Sequence, residues 1–443
     1  MPAPETAPQH TAPQHTDALH TDAYVDDFAA FVQASPSSYH AAAEVARQLE
    51  AAGFERLDER DEWAATPGGR LVVRDGAVIA WVQPEGATPT TPFRILGAHT
   101  DSPSFKLKPQ HASSTGGLLQ AGVEVYGGPL LNSWLDRELE LAGRIVTVDG
   151  AEHLVRTGPM LRIPQLAIHL DRDVNKGLTL DKQRHTQPIW GTVSGAPAGA
   201  DLLAEAAREA GIDPESVAGH DLLLVDTQAP ARFGRDNAFF ASARMDNLTS
   251  VYAGLVALLA APRDAGHVSV LAAFDHEELG SESRSGASGP ALEDMLVRVA
   301  AGLGAGEVER RRAFAASWIL SSDAGHAVHP NYPERHDPAN QPVLGGGPLL
   351  KLNANQRYAS DAVGAALWAE VCRQAGVPTQ AFVSNNAIPC GSTIGPLSAT
   401  RLGMRTVDVG PPLLSMHSAR ELAHVDDLVA LGAAVTAFFA PAA

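Results

Sequence analysis

The chain has 443 residues, 45% hydrophobic and 19% charged, enough for more than one domain with a sizeable core. Its 51 Asp and Glu against 33 Lys and Arg give a formal charge of −18, which excludes non-specific binding to a phosphate backbone, and no basic run offers a nucleic-acid groove. No apolar stretch approaches the ~18 residues of a membrane span, no basic-then-apolar leader is read at the N-terminus, and the two cysteines, Cys372 and Cys390, read as buried structural thiols in a reducing cytoplasm.

Residues 1–22 are polar, carry Ala-Pro-Gln-His-Thr twice and read as a mobile tail despite His10, His15 and His20. Two helices are predicted over 24–53, the second rich in Ala, Glu, Arg and Leu and closed by Gly53. Arg70-Leu71-Val72-Val73 and Ala77-Val78-Ile79-Ala80-Trp81-Val82 form a hairpin across Asp75-Gly76. Phe93-Arg94-Ile95-Leu96-Gly97-Ala98 is a buried strand ending in His99-Thr100-Asp101-Ser102-Pro103. The composition then changes. Residues 104–237 read as strands and turns with one late helix over 200–210, predicting a β-rich domain inserted into an α/β domain made of 23–103 and 238–443.

After the insert the α/β pattern resumes. Asp246-Asn247 opens a helix with Leu248, Val251, Leu255, Leu258 and Leu259 on one face. His267-Val268-Ser269-Val270-Leu271-Ala272-Ala273-Phe274 is a buried strand that stops at Asp275-His276-Glu277-Glu278. Trp318-Ile319-Leu320 leads to Ser321-Ser322-Asp323. A capped helix spans 360–375 with Val363, Leu367 and Val371 on one face, Thr406-Val407-Asp408-Val409 is a strand before a loop carrying His417, and an apolar helix spans 425–439.

Charge at the C-terminal ends of buried strands is where open α/β sheets place their chemistry. Adjacent Glu277 and Glu278 repel each other and need a cation, a shared proton or bulk water. Singly, each candidate has a plainer reading: His99 a core histidine, Asp246 an N-cap, Asp323 a turn residue, His417 a surface group. Together they place His99/Asp101, Glu277/Glu278, Asp323 and His417 at or beyond strand ends, with Asp246 opening a helix. A mixed set of His and carboxylate suits zinc, with manganese or cobalt as substitutes.

Gly97-Ala98-His99-Thr100-Asp101-Ser102-Pro103, Ala243-Arg244-Met245-Asp246-Asn247, Asp275-His276-Glu277-Glu278-Leu279-Gly280-Ser281, Ser321-Ser322-Asp323-Ala324-Gly325-His326-Ala327, Gln356-Arg357-Tyr358-Ala359 and Ser415-Met416-His417-Ser418-Ala419-Arg420-Glu421 resemble, in that order, the motifs of the M18 metallopeptidases, the aspartyl aminopeptidases. The resemblance implies a zinc-aminopeptidase-like mixed sheet flanked by helices, with the inserted domain serving dimerisation. It implies two zinc ions per chain, with His99, Asp246, Glu278, Asp323 and His417 as ligands and Asp246 bridging. Glu277 would be the general base and Asp101 would orient His99. These roles are physically coherent: two cations need an anionic bridge, and a ligating imidazole gives its other N–H to a carboxylate, which Asp101 is two residues away to supply.

The implied reaction is hydrolysis of the first peptide bond of a peptide, with Asp or Glu preferred at the N-terminus. Lys351 and Tyr358 match substrate-contacting positions, as does His326. On residues alone, Lys351 would snorkel from its apolar run to water. The segment Leu161-Arg162-Ile163-Pro164-Gln165-Leu166-Ala167-Ile168-His169-Leu170 resembles one whose histidine enters a neighbouring subunit's site, within a tetrahedral assembly of twelve chains; on residues alone His169 is a polar strand tip. The competing readings are a two-zinc aminopeptidase of broad or neutral specificity and a catalytically silent metal-binding scaffold.

Overall fold

The computed structural model describes residues 15–196 and 199–441, with the side chains of 15–20 left out of account. Nine strands form the central mixed sheet in the order Glu55–Arg56, Gly68–Arg74, Ala77–Gln83, Val268–Phe274, Phe93–His99, Trp318–Ser322, Arg405–Gly410, Leu349–Leu352 and Gln380–Val383. The four central strands from Val268–Phe274 to Arg405–Gly410 run parallel, so their C-terminal ends lie along one edge. Register fixes that edge: Phe274 pairs with His99, and Ser321 with Gly97.

Every residue of Val268–Phe274 is buried, as expected of a parallel strand covered on both faces. The period of two splits the strand between two cores. Leu271 and Ala273 pack with Leu248, Val251 and Leu255 of the helix Met245–Leu259, whereas Val270, Ala272 and Phe274 pack with Met295 and Leu296 of the helix Ala291–Gly302. The closing helix Val425–Phe439 joins the first core.

The helix His15–Ala34 anchors itself there through Val25, Phe28, Phe31 and Val32, with Phe28 and Phe31 about 5.5 Å from the Tyr252 ring. It reaches back into the stretch expected as tail, correcting that expectation for 15–22. Pro13 is the last helix-breaking residue before it, and nothing beyond interrupts the ladder. The remainder of the tail, His10 included, lies outside the described residues.

A separate antiparallel sheet of six strands is drawn wholly from Ser104–Thr115, Leu118–Tyr126, Leu139–Thr147, Glu152–Arg156, Ile189–Thr192 and Val217–Asp226. It has its own core, with Phe105, Leu107, Val123, Trp134, Leu141 and Leu222 among the buried members. This segregation supports the division at 104–237, which we propose as the domain boundary.

Two local expectations shift. The helix over 362–375 is capped by Asp361, whose carboxylate accepts the Gly364 N–H at 2.7 Å, and it buries Gly364, Trp368, Val371 and Cys372 while Val363 is exposed. Gly364 sits against Val407, where a Cβ would come within 3.1 Å, and of the expected face Val371 is buried, Leu367 packs on the core and only Val363 is turned out. Cys390 is half-buried, unlike Cys372, and both are free.

Candidate metal centre

The strand ends converge on Asp246. Its Oδ1 lies 3.3 Å from His99 Nε2, and its Oδ2 lies 3.4 Å from His417 Nε2. Asp323 Oδ1 stands 3.7 Å from His99 Nε2, and Glu278 Oε1 stands 3.3 Å from His417 Nε2. His99, Asp246 and Asp323 thus form one triad of donor atoms within 4.8 Å, and Asp246, Glu278 and His417 form another. His99, Glu277 and Glu278 form a third such group.

Each imidazole is turned by a backbone carbonyl. His99 Nδ1 donates to the Asp101 carbonyl at 3.0 Å, and His417 Nδ1 donates to that of Gly128 at 3.1 Å, which leaves each Nε2 facing the carboxylates. The Asp101 carboxylate lies 3.4 Å from His99 and does further work: its oxygens accept the N–H groups of Glu277 and Glu278 at 3.0 and 3.2 Å and the Tyr126 hydroxyl at 2.9 Å. Two supports of this frame were not among the expected site residues. Tyr126 reaches in from the inserted domain, and Glu421 accepts the backbone N–H groups of Asp246 and His417. Contacts to backbone N–H groups carry no residue-type pattern to read.

The charge balance favours cations. Burial opposes the charged form of His99, but Asp101, Asp246 and Asp323 overcome it and push its pKa well above the ordinary value. Burial likewise opposes a charged His417, yet Asp246 and Glu278 push it up to about 11. Burial and the surrounding carboxylates push Glu277 up to about 8 against the pull of His99. Burial and Asp246 push Glu278 up to about 7 against the pull of His417. Glu421, buried beside Asp246, is pushed up to about 8. Asp246 Oδ1 and Glu278 Oε1 are buried acceptors that make no well-formed hydrogen bond among the described residues, each having only an imidazole Nε2 at 3.3 Å. Buried carboxylate oxygens left without donors are costly, and two divalent cations would satisfy both while replacing the two imidazolium protons. The donor set therefore fits the group.

Beside this centre a cavity of about 280 Å³ is lined by His326, His329, Arg335, His336, Tyr358, Phe382 and Cys390 among others, with no Asp or Glu in its wall. Lys351 stands apart from that wall. Its side chain is 2% exposed, its Nζ donates to the Ala324 carbonyl at 2.7 Å and lies 3.9 Å from Asp323 Oδ2, and the Tyr358 ring is 5.5 Å away. The expectation that Lys351 snorkels to water is corrected: a carbonyl and a carboxylate satisfy it inside. His169 is exposed in its own chain and belongs to none of the donor groups.

The family model for "Aminopeptidase I zinc metalloprotease (M18)" matches residues 31–439. A "Probable M18 family aminopeptidase 2" of Streptomyces avermitilis is 54% identical over 420 residues, covering 94% of this chain and 97% of that protein. A chain from the cryo-EM structure of the Ape4 and Nbr1 complex superposes with a TM-score of 0.92 at 35% identity, covering 96% of this chain and 87% of that one. A chain of the S. cerevisiae mApe1 dodecamer does so with a TM-score of 0.83 at 28% identity, covering 95% and 97%. The chain therefore belongs to the M18 family of zinc metallo-aminopeptidases.

Proposed function

We propose that this aminopeptidase removes N-terminal Asp or Glu from peptides at a centre of two divalent ions, zinc foremost with cobalt or manganese as substitutes, that share Asp246. The observation that carries the reading is the pair of donor triads meeting at that one carboxylate, each oxygen facing a different imidazole. His99 and Asp323 would hold one ion with Asp246, and Glu278 and His417 the other. When bound, such ions polarise the scissile carbonyl and make water more acidic.

The remaining steps belong to the chain's own groups. Glu277 takes the proton from the attacking water and delivers it to the leaving amine. Its backbone is fixed by the Asp101 carboxylate, so the base is held while its carboxylate stays beside His99. A silent scaffold has no need of such an unligated carboxylate next to its ligands.

The acidic preference is supported by local charge. A protein of net charge −18 repels acidic peptides at long range, so attraction must be short-range. The cavity wall offers the guanidinium of Arg335, with His326 and His336, whose pKa burial lowers, as hydrogen-bonding imidazoles beside Tyr358, and the Lys351 ammonium lies behind, near Asp323. A hydrogen bond to a charged group is worth roughly 1.5–3 kcal/mol, or about 10- to 150-fold in specificity. Assay with Asp-, Glu-, Leu- and Lys-terminal substrates tests the reading. The expected result is higher kcat/KM for Asp and Glu; preference for Leu would leave a neutral aminopeptidase. Lys351→Ala is expected to cost acidic substrates about 10- to 150-fold more than Leu substrates. Equal losses would assign Lys351 to holding Ala324 and Asp323 alone.

We also propose a homo-oligomer, a tetrahedral dodecamer, in which His169 enters a neighbour's site. Leu166, Ile168 and Leu170 are exposed around His169, each at least half uncovered, so the segment presents apolar side chains that a partner would bury.

A further inference from the structure

Glu421 begins the strand Glu421–His424 and is 2% exposed. Its Oε2 accepts the Asp246 N–H at 3.0 Å, and its Oε1 accepts the His417 N–H at 2.9 Å. No ion pair reaches it among the described residues, so its two oxygens are committed to backbone donors on two distant segments. His417 has a left-handed backbone, φ 64°, as does Arg244 just ahead of Asp246, φ 59°. A non-glycine residue holds that conformation only where its surroundings impose it.

We propose that Glu421 is a positioning residue that fixes the separation of Asp246 and His417, and through it the affinity of the ion held by Asp246, Glu278 and His417. The inference rests on the two-ion reading. Its chemistry is simple. A carboxylate presents acceptors on both sides and can take both N–H groups at once. An amide of the same shape presents one acceptor and one NH2, so Glu421→Gln sets a donor against a donor at Asp246 or at His417. Either segment must then move, and the ligand atoms of the shared site move with it. Glu421 accepts no hydrogen bond from His99 or Asp323 among the described residues, so the other ion keeps two of its three donors in place.

The test is titration of the metal-free protein with cobalt(II), followed by its visible absorption bands and by equilibrium dialysis. Wild type is expected to take two ions per chain. E421Q is expected to bind one ion within about threefold of wild type and the other 10- to 100-fold more weakly, with altered bands for the weakened ion. S133A serves as the control, because Ser133 Oγ accepts the Ala419 N–H on the same loop without touching a ligand residue; it should keep both affinities. E421Q that binds both ions as wild type does, or S133A that weakens binding equally, overturns the role of Glu421. A wild type that takes a single ion instead overturns the two-ion reading. Should E421Q fail to fold, E421D, one methylene short of the same span, carries the titration with the same expected split.

Discussion

Asp246 stands at the centre of the site at the residue scale: its two oxygens face two imidazoles at 3.3 and 3.4 Å. Asp246→Ala is expected to lose metal and turnover together, measured by metal analysis and kcat; a fully loaded, active variant would remove the bridge. Glu277→Gln should keep its metal and lose at least ~100-fold in kcat, and near-normal turnover would take the base role from Glu277. Protons supply a third check. Without metal, the surrounding carboxylates push the pKa of His99 and of His417 above the ordinary histidine value, and burial pushes that of Glu278 above the ordinary carboxylate value. Zinc binding near neutral pH should therefore release protons, and affinity should fall as pH falls, because protons compete for both Nε2 atoms and for the Glu278 carboxylate. Calorimetry in buffers of different ionisation heat measures the release; no release would contradict the assignment of both histidines. These residues were legible in the sequence because ionisable groups at the ends of apolar strands stand out. Tyr126 was not, being a lone tyrosine in an ordinary strand, and Glu421, though it closes the His417 motif, showed no role there because it bonds backbone N–H groups. Lys351 misled for another reason: an ammonium satisfied by Ala324 and Asp323 reads, residue by residue, like one reaching for water.

Among the elements, the hairpin of Gly68–Arg74 and Ala77–Gln83 shows how a turn can be tied to the centre. A Cβ on Gly76 would lie 2.3 Å from Asp275 Oδ2 and 2.5 Å from Ser38 Oγ. Asp275 is buried beside the Glu277–Glu278 pair in sequence, so it has little room to yield. Gly76→Ala should therefore destabilise the protein by about 1–3 kcal/mol, seen as a lower Tm of the metal-free form; an unchanged Tm would show that the turn relaxes freely. The turn itself was readable from Asp75-Gly76, whose Asp75 has a φ of 57°, but the reason Gly76 must stay small lies in a segment about 200 residues away. The helix over 362–375 makes the same point. Its periodicity was visible, but the burial of Gly364 against Val407, with Val363 turned out, is a contact between distant parts of the chain.

Across the whole molecule, the inserted domain is joined to the centre within one chain. Tyr126 bonds Asp101, the Gly128 carbonyl takes His417 Nδ1, and the Leu130 N–H bonds the His417 carbonyl at 2.8 Å. The change in composition at 104 announced a separate sheet, but these contacts could be seen only once both cores were in place. The proposed assembly adds a second link, through a neighbour's His169. Light scattering should find a large oligomer, and His169→Ala should lower kcat/KM while leaving that oligomer intact; an active monomer, or unchanged kinetics, would defeat the link. The proposed chemistry rests on a pair of ions sharing one carboxylate. Anomalous X-ray diffraction at the zinc edge, from crystals of the zinc-loaded protein, tests it most directly. Two peaks per chain are expected flanking the Asp246 carboxylate, one toward His99 and Asp323 and one toward His417 and Glu278; a single peak, or peaks away from Asp246, would contradict the shared centre.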